Sequence, residues 1–165
     1  MKKLSVLFAA IVMFASVGMK AQKIATLDVA AILNEMPEKK KADTQLEAFS
    51  NAKAAEIKKL TESAQATYEK YSADAKTQTE AVNKTREAEL KKLSENLDKM
   101  KADAQKELYT KQDAAFAPIE AKFNAAVKKA AVANGWDFVM DANSNAFVYK
   151  GGPDATAAVK KELGL

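Results

Sequence analysis

Between residues 22 and 134 there is not one glycine, and the prolines there are Pro37 and Pro118 alone. A stretch so free of breakers, and rich in Ala, Lys, Glu, Gln and Leu, has the composition of long helices, because these side chains lose little freedom in a helix. The apolar spacing agrees. Leu46, Phe49, Ile57, Leu60, Ala64, Tyr68, Tyr71 and Ala75 recur at steps of three or four, with one skip at Lys53. Leu90, Leu93, Leu97, Met100, Ala104 and Leu108 do the same, and Ala115, Ile119, Phe123 and Val127 carry the row onward. Each half predicts a narrow coiled-coil seam rather than a wide buried face.

A single helix from residue 37 to 134 would be roughly 150 Å long at about 1.5 Å per residue, so a fold-back is expected. Ala55-Glu56-Ile57-Lys58-Lys59-Leu60 closely matches Ala88-Glu89-Leu90-Lys91-Lys92-Leu93, and the midpoint of the two falls near Ala75. An antiparallel hairpin bent around residues 74–80 would set these stretches side by side. Thr77-Gln78-Thr79-Glu80 fits a capping box at the start of the return helix, with Thr77 as the cap. Thr44-Gln45-Leu46-Glu47 fits the same pattern within the first helix, so the pattern alone does not decide. Pro118 removes a helical hydrogen bond and crowds the carbonyl of Ala114, which predicts a kink or a fresh helical start.

The ends have another texture. Lys23-Ile24-Ala25-Thr26-Leu27-Asp28-Val29 reads as a strand. Trp136-Asp137-Phe138-Val139-Met140-Asp141 and Ala146-Phe147-Val148-Tyr149 read as two strands around a polar turn. Gly135 is placed to cap the preceding helix and Pro153 to open a last one. The expected class is α+β, mostly helical, in the order strand, short helix, long helical hairpin, β-hairpin, helix.

Met1-Lys2-Lys3, the uncharged apolar residues 4–17 and the small residues after them predict a signal peptide over residues 1–21. The apolar run is shorter than the roughly 20 residues a membrane-spanning helix needs. The exported remainder, 22–165, reads as one domain: a body of residues 22–36 and 118–165, and a hairpin arm of 37–117 with its tip near 74–80. Loss of Lys2, Lys3 and Lys20 takes the 26 basic residues to 23 against 22 acidic, so net charge gives no grounds for nucleic-acid binding. The chain contains no Cys and no His, which removes disulfides, the usual nucleophile–base pairs and the common zinc ligands. Gly151-Gly152 lacks the Lys-Ser/Thr of a phosphate loop. No catalysis, metal or cofactor is expected, and any activity is expected to run without ATP.

A body of three short strands is marginal alone and leaves two sheet edges open. Pooling strands from several chains into one closed body answers both problems, so self-association is expected. Ile24, Leu27, Phe138, Met140 and Phe147 are assigned to the core or subunit interface, and Phe116, Ile119 and Phe123 to body packing. Trp136 reads as an anchor beside the body.

Lys23-Ile24-Ala25-Thr26-Leu27-Asp28, the glycine-free hairpin, Pro118, and above all Asp137-Phe138-Val139-Met140-Asp141-Ala142-Asn143 with Ala146 and Tyr149 resemble the Skp/OmpH family of periplasmic chaperones. The resemblance implies a homotrimer whose strands form a small intersubunit β-barrel, with helical arms around a cavity for unfolded outer-membrane proteins. Family members are often strongly basic, whereas residues 45–115 here carry 13 basic and 13 acidic side chains. Membrane- and lipopolysaccharide-binding residues are therefore not carried over. Lys39-Lys40-Lys41, between Glu38 and Asp43, reads as a solvated helix face. Tyr68, Tyr71, Met100 and Tyr109 are candidates for client contact, being broad or polarizable surfaces. The competing reading makes them seam residues, and a structural coiled-coil scaffold of the envelope is the alternative function.

Overall fold

The computed structural model describes residues 22–165, and the expected export segment, residues 1–21, lies outside them. The described elements run β1 (Ile24–Leu27), α1 (Val29–Glu35), α2 (Pro37–Asp74), a 3-10 turn (Ala75–Thr77), α3 (Glu80–Asn134), β2 (Phe138–Asp141) and α4 (Thr156–Leu163). The class is α+β and mostly helical, as the composition predicts. The residues fall into two compact units, one made of 22–32 with Asn124–Leu165, the other of Leu33–Phe123.

In the first unit β1 and β2 pair in parallel, with Ile24 opposite Phe138, Ala25 opposite Val139, Thr26 opposite Met140 and Leu27 opposite Asp141. The expected β-hairpin of 136–141 with 146–149 does not form. Backbone bonding gives the reason. The second edge of β1 is occupied by the segment around Asp154, with Thr26 N–H donating to the Pro153 carbonyl at 3.0 Å and Ala155 N–H to the Thr26 carbonyl at 2.7 Å. The chain must therefore cross from β2 to the far side of β1, and residues 146–149 serve as that crossing.

Pro153 consequently serves the sheet and does not open the last helix, which begins at Thr156, where the Asp154 carboxylate accepts the Thr156 N–H at 2.8 Å. The Thr156 hydroxyl, and then that backbone bond, hold the Asp154 carboxyl below its ordinary range. Asp28 caps α1 by accepting the Ala31 N–H at 2.8 Å, the usual reach of an N-cap to the third helical residue. Gly135 ends α3 at φ 65°, and Trp136 N–H then returns to the Ala131 carbonyl at 3.0 Å, a Schellman closure as expected. Ala25, Leu27, Ile32, Ala126, Ala130, Ala155, Val159 and Leu163 form the buried set of this unit.

In the second unit α2 starts on Pro37 at its first turn, after an extended Met36. Helices α2 and the facing part of α3 form the antiparallel hairpin. Helix α3 runs unbroken through Pro118, so the fresh start expected there does not occur. Ala114, whose carbonyl has no Pro118 N–H to accept, is exposed.

The cross-helix contacts share one register: Glu38 with Lys122, Phe49 with Lys111, Lys53 with Glu107, Tyr71 with Glu89 and Asp74 with Arg86. Every residue gained on α2 is one lost on α3. Ala55–Leu60 therefore lies beside residues near 100–105, not beside Ala88–Leu93. The expectation from the matching stretches is overturned, because the turn sits nearer the return helix than their midpoint does.

Candidate functional site

Two surfaces, one in each unit, carry the residues that sequence analysis selects. In a parallel pair, residues opposite one another point to the same face. Ile24, Thr26, Phe138 and Met140 thus share one face of the sheet, and Ala25, Leu27, Val139 and Asp141 the other. The second face is turned inward, with Leu27 only 3% exposed. On the first face Ile24 is 44% exposed, Phe138 50% and Met140 37%. Of the five residues assigned to core or interface, Leu27 thus belongs to the chain's own core, and Phe147 is half-buried in the crossing segment. Ile24, Phe138 and Met140 make an open apolar face, and Val148 and Tyr149 stand exposed beyond Phe147. Trp136 is half-buried.

The polar frame behind this sheet is what periodicity could not reveal. Asn143 donates its side-chain amide to the Asp28 carboxylate at 2.9 Å, and Asp28 N–H donates to the Thr156 hydroxyl at 3.1 Å. Asp137 accepts the Lys23 N–H at 2.9 Å and returns its own N–H to the Lys23 carbonyl at the same distance. Asp141 accepts the Asn143 N–H at 3.0 Å and so folds the turn after β2. The Asp and Asn residues of the C-terminal motif hold the small sheet together; they do not form a reactive cluster. Among the described residues no group of His, Cys, Asp and Glu is arranged to hold a metal ion, and no helix is long and apolar enough to cross a membrane.

On the hairpin the half-buried positions of α2 from Leu46 onward are Leu46, Phe49, Lys53, Ile57, Leu60, Ala64, Thr67, Tyr71 and Asp74. Lys53, read as a skip, is a full member of the seam. Its ammonium lies 3.7 Å from Glu107 and 3.4 Å from Glu56, and Lys111 sits over the Phe49 ring at 5.1 Å. Thr67, not Tyr68, holds the next seam position, so Tyr68 is displaced outward to 55% exposure.

The four candidate contact residues separate accordingly. Tyr68 and Tyr109, the latter 73% exposed, each follow a seam residue by one position on antiparallel helices, which puts both on the same face of the hairpin. Tyr68 shares a shallow groove on that face with Ser72 and Glu87. Met100 is half-buried and opens onto the other face, beside Lys53, Glu56, Lys99, Asp103 and Glu107. Tyr71 is committed to the tip. Its hydroxyl donates to Glu89 at 2.7 Å, which pushes the phenol above its ordinary value of 10.0, and its ring lies 4.6 Å from the Arg86 guanidinium.

The tip is closed by polar bonds. Arg86 forks onto Asp74, Asn83 donates its side-chain amide to the Ala75 carbonyl at 2.9 Å, and Gln78 donates to Asp74 at 3.3 Å. Thr79, not Thr77, accepts from the first turn of α3, taking the Val82 N–H at 3.4 Å. Thr77 instead donates to the Asp74 carbonyl at 2.8 Å. Lys39 is bound to Asp43 at 2.7 Å, and Glu38 to Lys122, so that basic run is a helix face with its charges partly paired.

Residues 23–163 match the family described as Outer membrane protein (OmpH-like). Among solved structures, the fold is similar to that of a candidate outer membrane chaperone, OmpH-like, from Caulobacter crescentus CB15, at a TM-score of 0.71. That likeness covers 88% of this chain and 86% of the other at 15% sequence identity, and it speaks for the fold alone. No curated protein matches the chain.

Proposed function

The chain belongs to the OmpH-like family of outer membrane proteins, and on that premise we propose that it is a periplasmic holdase that keeps unfolded outer-membrane proteins from aggregating without using ATP. The observation that carries the reading is the family match along residues 23–163. The open sheet face of Ile24, Phe138 and Met140 supports a body that closes only when several copies, three by family resemblance, pool their strands. Covering a side chain such as Phe138 contributes at most about 1.5–3 kcal/mol. Covering the exposed parts of all three residues would contribute toward assembly, against the cost of association.

In this reading the hairpins are arms around a cavity, and Tyr68 and Tyr109 are the side chains that meet the client. Each contact is shallow and reversible, but the first raises the effective concentration for those that follow. Release needs no fuel, because a client that folds withdraws its apolar surface from the arms. The test is light scattering of an unfolded outer-membrane β-barrel protein diluted from denaturant, with the assembled protein at stoichiometric ratio and no ATP. Suppression of aggregation supports the holdase, and full aggregation in its presence favours a structural coiled-coil scaffold.

A further inference from the structure

The hairpin has two sequence-encoded ways to close, and we propose that the clasp formed by Tyr71, Asp74, Arg86 and Glu89 selects the observed one. The competing closure is written in the near-identical stretches Ala55–Leu60 and Ala88–Leu93. A return helix slipped by roughly three turns, about 16 Å along the axis, would bring Ile57 and Leu60 against Leu90 and Leu93. Large aliphatic residues would then meet one another. In the observed register Ile57 and Leu60 meet the level of Met100 and Ala104, and the seam positions from Leu46 to Leu108 are nowhere fully buried. The slipped form also has its own cap, since Thr77-Gln78-Thr79-Glu80 would then open the return helix with Thr77 as cap. Over this stretch the seam packing therefore does not favour the register found, and only at the base of the hairpin, where Ala42 and Ile119 are buried, does it do so.

Polar contacts that need one alignment do favour it. Asp74 and Arg86 meet as a two-pronged pair at 2.6 and 3.1 Å, with the Arg86 side chain only 17% exposed. The same guanidinium stacks on Tyr71, whose hydroxyl reaches Glu89. A planar guanidinium bound in two directions tolerates little displacement, in contrast to an aliphatic seam that repeats every few residues. Along the shaft Lys53–Glu107 and Glu38–Lys122 are single contacts between flexible side chains, and they add less discrimination. A slip of three turns breaks all of these, and the clasp is the only group of them that is both forked and stacked.

The test uses the full chain, which contains no cysteine of its own, with spin labels on introduced cysteines at exposed positions. One labelled pair is Lys58→Cys with Lys101→Cys, near one another in the observed register. The second is Lys58→Cys with Lys91→Cys, near only after the slip. Labelled chains are diluted with unlabelled ones so that distances within a chain are read. With the clasp intact, the first pair gives a short distance and the second a long one. In the Asp74→Ala/Arg86→Ala background a second population is expected with the two distances exchanged, at unchanged helicity. Adding Leu90→Ala and Leu93→Ala should remove that population. The milder Tyr71→Phe/Glu89→Gln background covers the case in which the first fails to fold. A single, unaltered set of distances in either folded clasp variant overturns the proposal. So does a slipped population that persists without Leu90 and Leu93.

Discussion

Arg86 closes on both carboxylate oxygens of Asp74, Nη1 to Oδ1 at 2.6 Å and Nη2 to Oδ2 at 3.1 Å, across the turn that joins the two long helices. The guanidinium hydrogen bond holds the Asp74 carboxyl below its ordinary 3.8, and the same pairing raises Arg86. A carboxyl depressed on folding contributes stability above its unfolded pKa, and that contribution fades as pH falls through the folded value. The tip should therefore loosen in acid below about pH 4. Amide exchange at Gln78 and Asn83 checks this: protection relative to the intrinsic rate at each pH falls in acid in the native chain and is already low in Asp74→Asn. An Asp74 carboxyl that titrates at or above 3.8 by NMR would contradict the account.

The opposite end of the pH scale tests the neighbour. The Tyr71 phenol is raised chiefly because its neutral form donates to Glu89. Its contribution is complete below pH 10 and is lost as pH climbs through the raised value. A phenolate absorbance titration should show one tyrosine ionising later than the rest. Glu89→Gln should move it back toward the ordinary value, because the charged acceptor is gone.

Tyr68 and Tyr109 should be nearly silent in stability, since exposed substitutions that break no network usually stay within about 0.5 kcal/mol. The Tyr68→Ala/Tyr109→Ala chain is expected to unfold at the same denaturant midpoint as the native protein and to hold an unfolded outer-membrane protein several-fold less tightly. A loss of stability without a loss of holding would return these residues to the packing role.

Phe138→Asp separates assembly from folding. Phe138 lies on the open sheet face, half exposed, so a charge there leaves the chain's own core intact and penalises only a covering partner. Helicity should persist while sedimentation reports a lighter species. Asp28→Ala, by contrast, removes the cap of α1 and the tie to Asn143. It should cost about 0.5–2 kcal/mol in chemical denaturation, the range for a lost N-cap.

How far the sequence led follows from which forces it displays. The long helices, Pro37 at a helix start and Gly135 at a helix end were legible because propensity and capping act locally. The partners of β2 were not, because Ala146-Phe147-Val148-Tyr149 has strand chemistry while Pro153 and Asp154 take the β1 edge through backbone bonds that no side chain announces. Matching stretches misplaced the hairpin register, since apolar likeness cannot outweigh the fork of Arg86 on Asp74. Lys53 looked like a gap in the seam and is a member of it, held by Glu107 at the same level. Among the candidate contact residues, Tyr68 and Tyr109 reach solvent, whereas the exposure of Tyr71 was decided by Glu89, eighteen positions away.

Native mass spectrometry of the exported chain mixed with one unfolded outer-membrane β-barrel protein, in the absence of ATP, decides whether this protein is a holdase. A soluble complex of three copies around one client is expected. A lone chain, or an assembly that stays empty while the client precipitates, would contradict it.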